Sequence, residues 1–260
     1  MFQIVEQVRP DECYHLAASS YVSYSLDDEF AIFSTNVTGT HYILSVLKRA
    51  APDCRFYFAG SSELFGHAQR FPQDENTPFH PRSAYGITKV TGFFLTCNYR
   101  DNYGLFACNG ISYNHESPRR GFEYVTRKIA FHAAQIKLGL AKDLRLGNLD
   151  AVRDWGFAGE YVEAMWLMLQ QDQPGDYVIA TGKPHSVREF CEAAFAHLGL
   201  DYRKYVVVDE RFYRPNETVP LIGNAAHAKS VLGWQPKVDF DQLVAMMVDA
   251  DLDSLTIKKK

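Results

Sequence analysis

Short apolar runs bounded by polar turns alternate with longer segments whose apolar residues recur at helical spacing, and this alternation limits the possible folds more than any other feature of the chain. Successive strands joined through a helix pair in parallel, and the joining helices then cover both faces of the sheet. The runs ECYHLAA (Glu12 to Ala18), RFYFAG (Arg55 to Gly60) and LFACNGI (Leu105 to Ile111) read as strands. Helices are predicted between them over 29–50 and 84–102; in the first, Phe30, Phe33, Val37, Tyr42, Ile43 and Leu47 mark the inward stripe. The expected class is α/β, a doubly wound parallel sheet whose chemistry lies at the carboxyl ends of the strands, near Ala18, Ser61 and Asn114.

Beyond Asn114 the elements shorten and the connections become polar. A helix over 125–138 ends at Gly139, the stretch DLRLGN reads as a strand, and RDWG reads as a loop into a helix that runs to Gln171. A strand at Asp176 to Thr181, a helix capped by Ser186, a strand at Tyr205 to Val208 and helices near Ala225 and Phe240 follow. The simplest division puts 1–112 in the sheet, with 148–181 returning to it, and makes a smaller substrate part from 113–147 and 182–260. A crevice between the two parts is where a ligand is expected.

Composition narrows the function. The 260 residues, 47% of them hydrophobic, suffice for a sizeable core. A net charge of −4 speaks against a nucleic-acid surface, which needs a basic face. Cys13, Cys54, Cys97, Cys108 and Cys191 are scattered and set mostly in apolar runs, so reduced, buried thiols are expected rather than disulfides or a metal site. The opening MFQIVEQVRP has no apolar core of the signal-peptide kind, and no apolar run reaches bilayer length. A cytoplasmic location without membrane contact is therefore expected, with Lys258, Lys259 and Lys260 as a solvated tail.

Two stretches carry chemistry: SSELFG, Ser61 to Gly66, and SAYGITK, Ser83 to Lys89. Tyr85 and Lys89 stand four apart on one helix face, where an ammonium can hold a phenol near its anionic form. Such a spacing is common by chance, and a helix tyrosine more often buries its ring in a core. The hydroxyl of Ser61 and the carboxylate of Glu63 at a strand end turn that balance. A phenolate, a cation beside it and a carboxylate suit reversible oxidation coupled to proton abstraction next to a carbonyl.

The stretches YHLAASSYV, SSELFG, FHPRSAYGITK, NHESPRRG, VTRKI, LRLGNLDAVRDWG, RPNE and VLGWQPKV, in this order, resemble the extended short-chain dehydrogenase/reductase family and, within it, the GDP-mannose 4,6-dehydratases. The resemblance runs from about Val8 to Leu252. It implies a Rossmann-type sheet, NADP as cofactor, GDP-mannose or a related GDP-sugar as substrate, and a homo-oligomer. Tyr85 is implied as the base at the sugar's 4-hydroxyl, Glu63 as the carboxylate that removes the C5 proton, Ser61 as a hydrogen-bonding hydroxyl, and Lys89 as the cation that lowers the pKa of Tyr85. Leu16, Ala17, Ala18, Tyr85, Lys89 and Asn114 are implied at the cofactor. Asn114, Glu116, Arg120, Lys128, Arg153, Arg214 and Glu217 are implied at the nucleotide sugar.

Departures from the family pattern are Ser19, Tyr21, Ala84, Val152 and Val219. The Gly-rich turn that holds the cofactor pyrophosphate in this family has no counterpart among the seventeen glycines; GFAG, Gly156 to Gly159, reads as a turn into a helix. The sheet is therefore expected to be incomplete, with the first βαβ portion absent and apolar surface exposed along Glu12 to Ala18. Binding of NADP by this chain alone stays open. So do two alternatives to a dehydratase: a non-catalytic homologue that keeps only GDP-sugar binding or an interaction role, and another nucleotide-sugar reductase or epimerase, which would share Tyr85 and Lys89 without needing Glu63.

Overall fold

The computed structural model of the protein describes residues 2–20, 29–213 and 220–257. A short helix outside the predicted elements, α1 (Phe2–Val8), precedes β1 (Glu12–His15). β1 ends earlier than its apolar run suggests: His15, its last residue, is buried with Nε2 2.9 Å from Thr40 Oγ1. The helix expected over 29–50 consists of α2 (Glu29–Phe33), a π-helical turn (Ser34–Thr38) and α3 (Gly39–Ala50). That turn buries Asn36, an amide that an ordinary helix would keep in solvent.

β2 (Arg55–Ser61) passes into a 3-10 turn, Ser62–Leu64. α4 (Ala84–Tyr103) starts where the Ser83 hydroxyl accepts the Gly86 N–H at 3.0 Å, and it stops at Gly104, whose φ of 71° is the left-handed value that favours glycine. β3 (Ala107–Ser112) is buried at every position, as a central strand covered on both faces must be. β4 (Asn114–Glu116), α5 (Val125–Lys137) and β5 (Leu144–Leu146) lead to β6 (Val152–Phe157). β6 corrects the sequence reading, since RDWG is strand rather than loop: it pairs in parallel with β4, and Arg153 and Asp154 interrupt the apolar pattern that would reveal it.

From β6 the chain enters α6 (Ala158–Leu169) directly, then β7 (Asp176–Ile179) and β8 (Pro184–Ser186). α7 (Val187–His197) opens with a capping box in which Ser186 and Glu189 satisfy each other's backbone N–H. β9 (Val206–Val208), α8 (Ala226–Leu232) and α9 (Phe240–Ile257) complete the described chain.

The main sheet is parallel throughout, in the order β1-β2-β3-β7. Alternation along β2 assigns its two faces. Phe56 and Phe58 pack with Leu44, Leu47 and Tyr99 from α3 and α4, whereas Tyr57 packs with Tyr161, Met165 and Met168 from α6. Helices on both faces make the sheet a doubly wound, Rossmann-type one. Each fully buried Phe or Leu contributes roughly 1.5–3 kcal/mol, so these two layers dominate its stability. A separate core, built around Trp155, Phe190, Phe195 and Met247, joins α5, α7 and α9 into the smaller C-terminal α/β region. β1 is an end strand of the sheet among the described residues, and Tyr14 and Leu16 beside it are 37% and 54% exposed, as the sequence led one to expect. Among the described residues no helix is long and apolar enough to cross a membrane. All five cysteines are free; Cys54, Cys108 and Cys191 are buried, and Cys13 and Cys97 partly so.

Candidate active site

The carboxyl ends of β2 and β3 open into a cleft of about 780 Å³ that reaches α5, β6 and the segment at Arg211 to Tyr213. Ser61 is the last residue of β2, and its hydroxyl accepts the Glu63 N–H at 3.3 Å, which turns the chain so that Glu63 also lines the cleft. Tyr85 and Lys89 enter from the first turns of α4, 8% and 5% exposed. The Ser61 hydroxyl also hydrogen-bonds the Tyr85 phenol. Lys89 Nζ donates to the Ala59 carbonyl at 2.7 Å and lies 5.6 Å from the Tyr85 ring centroid.

Burial governs both titrations. It drives the Tyr85 phenol far above its ordinary value; the Ser61 hydrogen bond opposes this, Glu63 and the Tyr124 phenol add to it, and the Arg120 charge opposes it. It also pulls the Lys89 ammonium down to about 8. Burial is the largest influence on the Tyr85 phenol, and Arg120 is the cation that opposes it.

Asn36, which sequence reasoning passed over, ties this centre to the rest of the sheet. Its amide Oδ1 accepts the Ser19 N–H at 2.8 Å, and its Nδ2 donates to the Ser19 carbonyl at 3.2 Å and to Thr88 Oγ1 at 3.0 Å. Thr88 Oγ1 in turn donates to the Tyr85 carbonyl at 2.7 Å. The only sequence signal is a polar residue in the middle of a predicted helix, three positions before Gly39.

The remaining candidates separate into several environments. Leu16, Ala18 and Asn114 line the cleft; Ala17 is exposed and is not part of its wall. Glu116 lines the cleft, is 1% exposed, accepts Thr126 Oγ1 at 2.6 Å and ion-pairs with Arg120 Nε at 3.2 Å. Lys128 Nζ donates to the Arg145 carbonyl at 2.7 Å and sits 4.2 Å from the Phe212 ring centroid; burial lowers its pKa while Asp209 raises it. Arg153, on β6, lines the cleft and donates from Nη1 to the Val152 carbonyl at 2.8 Å. Arg214 and Glu217 lie outside the described residues, as do Tyr21 and Val219. Ser20 and Tyr124, which the sequence did not single out, also line the cleft.

A doubly wound parallel sheet with a serine at a strand end and a Tyr-x-x-x-Lys pair on the following helix defines the class as short-chain dehydrogenase/reductase. The family model for GDP-mannose 4,6 dehydratase matches residues 1–247. The chain is 51% identical over 253 residues to GDP-mannose 4,6 dehydratase 2 of Arabidopsis thaliana, covering 96% of this chain and 68% of that protein. It is 45% identical over 272 residues to GDP-mannose 4,6 dehydratase of Homo sapiens, covering 97% and 73%. The chain belongs to the GDP-mannose 4,6-dehydratase family. Among solved structures, RMD from Pseudomonas aeruginosa complexed with NADPH superposes with a TM-score of 0.87 at 24% identity, over 94% of this chain and 82% of that one. DesIV, a dTDP-glucose 4,6-dehydratase from Streptomyces venezuelae with NAD bound, gives 0.86 at 22% identity, over 99% and 78%. At these identities the two structures speak for the fold.

Proposed function

We propose that the protein is a nucleotide-sugar 4,6-dehydratase, a lyase that converts GDP-mannose to GDP-4-keto-6-deoxymannose with NADP as cofactor. The observation that carries this reading is the joint presence of Ser61, Glu63, Tyr85 and Lys89 in one cleft within a chain of this family. A reductase or epimerase could use Tyr85 and Lys89 alone; the placement of Glu63 at the same wall favours elimination.

The residues at the strand ends fit the nicotinamide end of such a cofactor. Leu16 and Ala18 supply an apolar wall, and Lys89, 5% exposed, spends one of its three N–H donors on Ala59, which leaves it suited to ribose hydroxyls. Tyr85 and Asn114 stand at the same end. NADP would supply reversible hydride acceptance from C4 and its later return to C6. Tyr85 would take the proton of the 4-hydroxyl through the hydrogen-bonded set that includes Ser61. A carbonyl at C4 acidifies the C5 proton, which the Glu63 carboxylate would remove. The proton then held by Glu63 can pass to the departing C6 hydroxyl, so that water leaves and the carboxylate is restored; C5 regains a proton as hydride returns to C6, and the proton that Tyr85 took from the 4-hydroxyl balances it. Asn114, Arg120, Lys128 and Arg153 would contact the sugar and diphosphate, with Arg214 and Glu217 at the nucleotide and Glu116 acting through Arg120.

The test is turnover of GDP-mannose in the presence of NADP, followed as loss of one water from the sugar nucleotide by mass spectrometry. Product should form with the native protein and not with Y85F. Absence of any product from a protein that binds both ligands would overturn the reading.

A further inference from the structure

Tyr124 directly precedes α5 in an extended conformation, φ −86° and ψ 141°, with no side-chain cap on the helix. Its side chain therefore stays with the loop that forms the substrate wall of the cleft. Its phenol oxygen lies 3.1 Å from Ser20 Oγ, on the loop that follows β1, across a sequence separation of 104 residues. Both residues line the cleft, so the bond joins the sheet side to the substrate side.

The Tyr124 ring has a second task. The Arg120 guanidinium carbon lies 3.6 Å from its centroid, stacked on the ring face. Glu116 meets the same guanidinium at Nε, 3.2 Å away, and Thr126 Oγ1 fixes Glu116 at 2.6 Å. The ring covers one face of the planar guanidinium, and the carboxylate pairs with its charge. Arg120, Glu63 and Tyr85 share the cleft, and the Arg120 charge reaches Tyr85, opposing the upward push from burial and from Glu63.

We propose that Tyr124 is a positioning residue for the acid–base centre: its ring holds the Arg120 guanidinium toward the cleft that contains Tyr85, and its hydroxyl, through Ser20, closes the substrate-side loop across the cleft mouth. The proposal rests on the nucleotide-sugar reading of this cleft. It assigns the two parts of one side chain to two measurable quantities. The hydroxyl governs how well the closed cleft holds substrate, and the ring governs the electrostatics at Tyr85.

The experiment compares Y124F and Y124L with the native full chain, measuring kcat, KM and the pH profile of kcat/KM. Y124F keeps the stack and loses the bridge, so KM for the GDP-sugar should rise about threefold or more with kcat in place. S20A removes the same bridge from the other side and should match Y124F, with no further effect in the double variant. Y124L also loses the stack; both variants lose the Tyr124 phenol, whose charge raises Tyr85, so the ring is read from their difference, and the acid limb of Y124L should lie about half a unit or more above that of Y124F. The proposal is overturned if the acid limbs of Y124L and Y124F coincide, or if Y124F and S20A leave KM unchanged. Crystals of Y124L give a readout independent of turnover: Arg120 should leave Glu116, and an undisplaced Arg120 overturns the proposal. If the native protein turns over no GDP-sugar, the functional reading fails, and the position of Arg120 in Y124L alone still decides the role of Tyr124.

Discussion

On the sheet side of the cleft, Ser61, Glu63, Tyr85 and Lys89 are placed by two neighbouring elements, β2 and α4, whose periodicity is written in the sequence. On the substrate side, Arg120 is placed by a ring, a buried carboxylate and a loop that depends on the far end of the chain. Arg127 shows the dependence: its Nη2 lies 2.6 Å from Asp251 on α9, 0% exposed, and its Nη1 donates to the Pro118 carbonyl inside the NHESPRRG loop. The sheet side is thus local geometry with chemistry on it, and the substrate side is a long-range network. Damage to the first should cost rate, and damage to the second should cost stability and binding together.

The sharpest way to break this comparison is at Glu63. In E63Q the rate of water elimination should fall by about 10²–10⁴, the range for loss of a general base, with the thermal midpoint and nucleotide-sugar affinity retained. Mass spectrometry of the product and a melting curve on the same sample check both halves. A drop in stability equal to that of the next variant would erase the distinction between the two sides.

At Asp251 the order should reverse. D251A strands the Arg127 guanidinium in the core and should cost about 3–5 kcal/mol of unfolding free energy, the usual penalty for breaking a buried pair. Denaturant unfolding measures it, and calorimetry should show weakened GDP-sugar binding as the Pro118 segment loosens. A normal affinity in the folded variant would show that α9 does not support the substrate wall.

Lys89 places a stability cost inside the sheet side. Its pKa is about 8 in the fold, against roughly 10.4 in an unfolded chain, so between these values the unfolded state binds more protons and stability rises with pH. K89M should remove that rise, seen as a smaller difference between melting temperatures at about pH 8 and about pH 10 than in the native protein. An unchanged difference would mean that Lys89 is solvated in solution. The smallest effects fall at Ser61: S61A should lower the rate about tenfold, the scale of one hydrogen bond to the Tyr85 phenol, while S61T keeps the hydroxyl and should stay within about twofold.

Legibility followed the same division. Ser61, Glu63, Tyr85 and Lys89 were readable because strand ends and a four-residue helical repeat fix directions without reference to the rest of the chain. Asn36 was missed because nothing local separates a buried helix asparagine in a π turn from a solvated one. The pairing of Glu116 with Arg120 and Thr126 was not legible because its burial arises from α5, which closes over it through Thr126. β6 was read as a loop because its partner β4 is distant in sequence and its charged residues find partners only in the fold: Asp154 accepts the N–H groups of Thr181 and Gly182 at 2.9 Å.

By itself the sequence determined the α/β layering, the family and the four candidate residues Ser61, Glu63, Tyr85 and Lys89, because short-range periodicity and ordered motifs are properties of neighbouring residues. Only the tertiary structure decided the electrostatics: that burial is the largest influence on Tyr85, that Glu116 pairs with Arg120, and that Ser20 meets Tyr124 across the cleft. Those outcomes depend on desolvation and on distances between residues remote in the chain, and neither quantity exists until the two sides of the cleft have been brought together.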